Sequence, residues 1–351
     1  MRVVGIDLLK IVAMLGIVML HIINWSGFGL GREALSAKSI LLECLFATCL
    51  PAVNCFVMAS GWVLVKHEVK FCRLFRLWFL VWFYSLLLLA ITLVFFPGTR
   101  LKLSDYLASF FPVSCNGYWY FSCYVALFFL MPLLNAAIHH LSRRQITQVL
   151  GWGFLFFSCV TFCFYKDPFV VRSGYSVLWF SFLYFFSAAM SEFGFFMKVR
   201  TGLLALIAVA CIGCTVIGSH ISAVIIQRYG FVGRPWDFAA YNSPVLFIES
   251  VCFFILFTRI SIQSCAIKNL IAFVMPSVFS VYIIHSNGCF RIFSDWNANW
   301  TSVLNSLDAS GAVLVVILSA ITIFCIAIVI DFMRRVMVAL LKARGGLTGW
   351  K

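Results

Sequence analysis

The stretch GIDLLKIVAMLGIVMLH, residues 5–21, sets three ionisable side chains, Asp7, Lys10 and His21, in an otherwise apolar run. Lys10 and His21 are eleven residues apart. On an α-helix that is three turns plus about 20°, so the two share a face and stand ~16 Å apart along the axis. Asp7 lies one turn before Lys10, and Asn24 one turn after His21. The other residues of the stretch are Val, Ile, Leu and Met, with Gly5, Ala13 and Gly16. A charge facing lipid costs at least ~2.5 kcal/mol, and ionisable groups inside a membrane mark sites and proton paths by default. The stripe therefore faces a protein interior or a wet chamber. His21 is its chemical centre, because imidazole titrates nearest neutral pH and suits proton transfer. Asp7 and Lys10 also admit a plainer reading, an i,i+3 ion pair with Lys10 reaching back to the interface.

Other residues invite the same question. His285 stands in VYIIHSN, about 25 Å along a helix that starts near Lys268. That depth matches His21, so the two imidazoles could line one chamber or serve separately as packing residues. Glu249 falls in the middle of SPVLFIESVCFF, where a carboxyl group needs a partner. Glu43 and Asn54 read as structural polar groups of the second apolar segment. Arg73 and Arg76 are one turn apart in KFCRLFRLWF. They are either ordinary cytoplasmic anchors or a clamp for phosphate, whose oxygens Arg meets bidentately. The CIGC stretch, Cys211 to Cys214, lacks the strand–helix context of a redox motif. No P-loop, GxSxG elbow or zinc-spaced His/Cys cluster occurs in the sequence.

The elements that position these residues are membrane helices. Of 351 residues, 63% are hydrophobic and 11% charged, with 39 Phe, and the mean hydropathy is +1.04. Soluble domains are about half apolar and a quarter charged, so the fold class is an all-α polytopic membrane protein. Ten apolar segments are long enough to span, at roughly 3–24, 39–65, 74–96, 118–138, 147–165, 175–197, 201–218, 241–259, 268–290 and 311–333. Pro51, Pro132, Pro244 and Pro276 punctuate them. The net charge of +14 does not signal nucleic acid, because Lys and Arg cluster in the short connections. With the N-terminus in the cytoplasm, most of them fall on the cytoplasmic side, which places both termini there. The longer loops, about 97–117 and 219–240, then face outward and could roof a site. Most of the 14 Cys lie in apolar runs as small hydrophobes. Only Cys115 and Cys289 sit where a bridge is conceivable. The first segment is not a secretion signal, since it carries an early acid and no small-residue cleavage site.

Several blocks, in order, carry a resemblance. RVVGIDLLKIVAMLGIVMLH is similar to the first-helix block of the bacterial membrane acyltransferase family 3, which runs Asp, Arg, then His eleven residues on. NCFVMASGWVL resembles its second-helix block, RLFRLW its Arg-rich start of helix three, YWYFSCYVALFFLMPLLN its Trp–Tyr–Pro–Asn block, and SVFSVYIIHSN its ninth-helix block. The resemblance implies an integral-membrane O-acyltransferase that moves an acyl group, usually acetyl, from cytoplasmic acyl-CoA to a hydroxyl of a cell-surface or lipid-linked glycan. It implies acetyl-CoA as the acyl donor with no metal, and a multi-pass location in the plasma (inner) membrane. His21 maps to the histidine on which the family depends, as general base or transient acyl carrier. Lys10 stands where Arg is usual, keeping the charge without the bidentate fork. On this reading Lys10, Arg73 and Arg76 meet the CoA end, and Asp7 orients Lys10. Glu249 and His285 assist catalysis, and Asn24, Trp119 and Tyr120 contact the acceptor. The expected organisation is one transmembrane acyltransferase domain, 1–338, with a short basic cytoplasmic tail, 339–351, and no appended SGNH-type hydrolase domain. The residues alone leave a rival, a secondary transporter or glycan flippase, since buried charges and Pro breaks also suit proton-coupled transport.

Overall fold

A computed structural model describes residues 4–31, 35–164, 167–230 and 236–344. The described chain is helical and contains no strand. Eight helices are long and apolar enough to cross a membrane. They are α1 (Val4–Trp25), α2 (Ala37–Leu64), α3 (Phe71–Phe95), α4 (Trp119–His140), α5 (Arg143–Cys163), α7 (Thr201–Tyr229), α9 (Cys265–His285) and α10 (Ala309–Arg344). The two remaining expected spans are shorter apolar helices, α6 (Val177–Phe193) and α8 (Pro244–Thr258). At 1.5 Å per residue these are ~26 and ~22 Å long, less than the ~30 Å hydrocarbon core. Of the ten expected spans, eight are therefore helices long enough to cross and two are shorter apolar helices, among the described residues.

Local chemistry sets the helix ends. Ser36 and Ser39 form a reciprocal capping box that opens α2. Pro51 then breaks the helix after Cys49 and restarts it as the first residue of Pro51–Leu64. Ser142 and Gln145 cap α5 in the same reciprocal way, and Ser176 caps α6 through its hydroxyl. Gly194 and Gly230 close α6 and α7 in the left-handed conformation, at φ 65° each. Within α5 a π-helical turn, Leu155–Val160, loosens the ladder. Asn242 repairs it by donating to the Phe157 carbonyl (2.8 Å), while the Ser158 hydroxyl donates to the Asn242 carbonyl (2.7 Å). α9 is interrupted at Pro276 by the 3-10 turn Met275–Ser277.

Two expectations need correction. The loop expected at 219–240 is helix as far as Tyr229, where α7 ends; the polar residues just after 218 belong to its last turns. The stretch at 97–117 contains a short helix, Leu103–Phe110. Both Cys115 and Cys289 are free thiols, the first exposed and the second buried, and no bridge joins them. Residues 345–351 of the expected tail lie outside the described residues, and α10 runs through residue 338 without a break.

The core is aromatic and centres on α6, where Trp179, Phe182 and Phe186 meet Phe247 of α8 at ring distances of 4.9–5.8 Å. Facing outward, α3, α7 and α10 expose Phe75, Leu206, Val209, Ile326 and Val329, as lipid-facing surfaces do. A close approach joins α2 and α6. A Cβ built on Gly61 would stand 2.2 Å from the Tyr184 carbonyl oxygen and 2.3 Å from Ser187 Oγ, whereas one on Gly213 meets nothing within 4 Å. Small residues that let helix backbones approach are the main device for packing helices in lipid. Gly61→Val should therefore lower the thermal midpoint of the detergent-purified protein, at a cost of ~1–3 kcal/mol from overpacking. Gly213→Ala should leave the midpoint unchanged or raise it, as Ala is the better helix former.

Candidate active site

The two histidines meet. His21, near the end of α1, places Nδ1 2.9 Å from Nε2 of His285, the last residue of α9. His285 is fully buried, and its own Nδ1 is 2.6 Å from the Val281 carbonyl oxygen. A carbonyl can only accept, so Nδ1 of His285 carries hydrogen and donates. With both rings neutral, Nε2 of His285 is then an acceptor, and Nδ1 of His21 must be the donor. The proton order is fixed from the Val281 carbonyl outward and leaves the lone pair on Nε2 of His21, an atom with no hydrogen-bond partner among the described residues. With this proton order His21 presents Nε2 as a basic nitrogen, while its Nδ1 is held by His285.

Two sets of contacts place His285. At the start of its half-helix, Ser277 and Ser280 donate to Asp331 of α10 at 2.6 and 2.8 Å. Tyr84 of α3 and Arg334 donate to the same carboxylate, each at 2.8 Å. Beyond its end, Asn287 donates to the Tyr118 hydroxyl (2.7 Å), which donates in turn to the Ile283 carbonyl (3.2 Å). The break at Pro276 therefore leaves a short rigid segment pinned at both ends, with the imidazole between the pins.

Aromatic and cationic groups surround the pair. The Trp25 ring stacks on His21 with centroids 4.2 Å apart. The Arg291 guanidinium sits 3.9 Å from the Trp25 ring centre, on the short helix Gly288–Phe293 capped by Asn287. Half-burial draws the Arg291 pKa below its usual value, though a guanidinium keeps its charge near neutrality. Its Nε is buried without a hydrogen-bond partner among the described residues. On the other side, His21 closes a narrow apolar slot with Trp119, Tyr120, Tyr241, Tyr282 and Phe56. The slot has about 20 Å³ of free space, little more than one water molecule.

The structure sorts the sequence candidates into groups. His21, His285, Trp119 and Tyr120 come together. Asp7 and Lys10 are half-buried towards the other end of α1, with Lys10 ~16 Å from His21 along the axis, so neither touches the pair. Arg73 and Arg76 are exposed at the start of α3. Arg73 lies near Tyr124, whose ring stacks on Tyr120 at 6.3 Å, so a ladder of tyrosines leads from the arginines to the histidine slot. A cavity of about 780 Å³ opens beside Lys66, His67, His139 and Glu192. Asn24 lines a different cavity from the slot. Glu249 is fully buried away from the histidines, among Cys49, Cys55, Cys211 and Cys252, and neither carboxyl oxygen has a hydrogen-bond partner among the described residues. Glu43 and Asn54 are structural. Glu43 pairs with His220 at 2.7 Å, and Asn54 bonds Tyr241, Ser250 and Trp179.

Three contributors escaped the sequence reading. Asp331 is a lone acid in IVIDFMRR, the same signal that singled out Glu249, and could have been found that way. Arg291 looked like one basic loop residue among several. Tyr118 opens the YWYF block, but its role depends on hydrogen bonds made across the bundle, which spacing does not show.

Fold and site together define a polytopic helical membrane protein with an oriented histidine pair near one end of its bundle. The chain belongs to acyltransferase family 3: the family model, an acyltransferase domain, matches residues 3–332. No curated protein and no solved structure gives a significant match.

Glu249, although central in its helix, should be dispensable for chemistry. Glu249→Gln should keep activity within about threefold of wild type, and Glu249→Leu should raise the thermal midpoint, because replacing an unpaired buried polar group with an apolar one removes a desolvation cost. Loss of activity in a folded Glu249→Gln protein would place the carboxyl group in the reaction.

Proposed function

We propose that this family member moves an acetyl group from cytoplasmic acetyl-CoA to a hydroxyl of a cell-surface or lipid-linked glycan, within the plasma (inner) membrane and with both termini cytoplasmic. The observation that carries the reading is the proton order of the histidine pair, which leaves Nε2 of His21 as a base held in place by His285.

In the reaction, Nε2 of His21 removes the proton from the acceptor hydroxyl as that oxygen attacks the thioester carbonyl. The carbon–sulfur bond breaks, and the departing CoA sulfur takes the proton back from the imidazolium. The products are the O-acetyl ester and free CoA. General base catalysis of this kind contributes ~10²–10⁴-fold. The unpaired Nε of Arg291, close to the stacked Trp25 and His21 rings, supports a role for its guanidinium in stabilising the oxyanion as it forms. Arg73 and Arg76, with Lys66 at the neighbouring cavity, meet the CoA phosphates. The acyl group reaches His21 along the tyrosine ladder. Lys10 and Asp7 act on the donor side at the same end of α1, away from the bond-making atoms.

The test uses purified protein in proteoliposomes with acetyl-CoA labelled on the acetyl group, following free CoA and label transferred to a surface-glycan fraction. His21→Ala should lose both signals by ~10²–10⁴-fold. His285→Ala should lose less, because it removes an orienting group rather than the base. A folded His21→Ala protein that retains most of the transfer would overturn the assignment. A transporter or flippase would instead move substrate with no release of CoA.

A further inference from the structure

A second cavity lies just beyond the histidines. It holds about 350 Å³, within the range of small-molecule sites. Its walls combine Asn24 at the end of α1, Ser219, Ser222 and Gln227 of α7, and the segment Trp236 to Ala239. It shares its walls with the histidine slot in a consistent order. Along α1, His21 borders the slot and Asn24 the cavity. In α2, Val53 and Phe56 border the slot, and Phe46, across the Pro51 break, borders the cavity. In the segment before α8, Tyr241 faces the slot and Trp236 to Ala239 the cavity. Three separate elements thus pass from one space to the other, so the two are adjacent and His21 stands at their boundary.

The chemistry of the two spaces differs. The slot is tight and aromatic. The cavity carries two side-chain amides, two hydroxyls and the Asp237 carboxylate beside the Trp236 and Phe238 rings. Planar polar groups next to an aromatic face match a ring that bears hydroxyls around its edge and C–H bonds on its face. The walls are also held under constraint. Trp236 has φ 54°, a left-handed conformation unfavourable for an L-residue and kept where the surroundings over-determine it. On the opposite wall, Gly31 donates its N–H to Glu43 (3.1 Å), and Glu43 bonds His220 (2.7 Å). A Cβ at Gly31 would lie 2.6 Å from the Ser219 carbonyl oxygen, so this loop is locked against α7.

We propose that this cavity seats a sugar ring of the acceptor, with one hydroxyl turned towards Nε2 of His21, and that Asn24, Gln227 and Trp236 set which sugar is accepted. The proposal deepens the transferase reading and rests on it for the identity of the reacting hydroxyl, while the binding site itself is open to independent test.

Binding is measured by saturation-transfer NMR on the detergent-purified full-length protein, using methyl glycosides of neutral hexoses and N-acetylhexosamines as probes. Transfer kinetics are measured in parallel with labelled acetyl-CoA and the glycan fraction. At least one glycoside should give a saturable signal. Ala223→Phe, which fills the cavity, should abolish it. Gln227→Ala, which removes one polar contact, should weaken binding and raise the acceptor KM roughly tenfold, with the donor KM moving much less. His21→Ala should still bind the glycoside. If no glycoside binds the wild type, or if the filled variant binds as well as the wild type, the sugar site is wrong. Should transfer proceed with an unchanged acceptor KM in Ala223→Phe, the sugar site falls while the transferase reading stands. If instead the wild type binds glycosides but transfers no acetyl group, and the filled variant loses the binding, the site stands and the transferase reading falls.

Discussion

A polar group held in hydrocarbon must find its partner inside the protein, because the bilayer core offers no water to bond it. Much of this bundle is arranged around that constraint. Asp331 is fully buried and gathers donors from Tyr84, Ser277, Ser280 and Arg334, which binds α3, α9 and α10 together at one point. Asn54 uses both its oxygen and its nitrogen to hold α2 against α6, α8 and the segment before α8. Asn135 does the same between α4, α2 and α6 through Leu64 and Tyr184. Each such group works as a position-specific rivet in a structure whose apolar surfaces would otherwise slide past one another. The precision of the histidine pair follows from these rivets. His285 sits on a half-helix that Pro276 has freed from the rest of α9, and Asp331 and Tyr118 fix that half-helix at both ends.

The same constraint decides what the sequence discloses. His21 was legible because a titratable group deep in an apolar run must have company, and helix geometry alone puts it on the face of Lys10. The equal depth of His285 was legible too. That the rings touch was not, since contact depends on how α1 and α9 lie against each other, which no spacing within one helix records. Glu249 shows the converse. Its mid-span position suggested a site, but the packing of α8 against α2 and α7 sets it among thiols with no polar partner. Asp331 gave the same local signal in a helix read only for its apolar length. Helix ends followed caps and prolines that the sequence displays, yet α7 outran its apolar segment because Ile221 and Val224 continue its exposed apolar face beyond residue 218. The short length of α6 was concealed by Phe195, Phe196 and Met197, which follow its closing glycine.

The site divides its work between two kinds of surface. A membrane enzyme with an activated acyl donor must keep water from the acyl carbon and still admit a hydroxylated acceptor. In the proposed reaction the tight aromatic slot around Trp119, Tyr120 and Tyr282 meets the first need, and the polar cavity beside Trp236 suits the second. His21 occupies their boundary because α1 ends there. Trp25, one turn on, covers its ring and carries Arg291 on the aromatic surface. The placement requires no loop closure, only that α1, the broken α2 and the segment ahead of α8 each turn from apolar to polar at the same level.

The group behind the base also constrains the chemistry. In a Ser-His-Asp triad the histidine is oriented by a carboxylate, which stabilises the imidazolium that forms. Here the orienting chain ends in the Val281 carbonyl, a neutral acceptor already engaged by His285. It fixes the tautomer and direction of His21 but supplies no full negative charge. An imidazolium at His21 would also stand near the Arg291 cation. The proton is therefore best held there briefly, which suits a reaction whose leaving group is itself a base. In the proposed reaction the departing thiolate reclaims the proton as the carbon–sulfur bond breaks, which ties acceptor deprotonation and donor departure to one nitrogen atom. A water molecule in the slot would be activated by the same nitrogen, and the slot has room for about one, which donor and acceptor must displace.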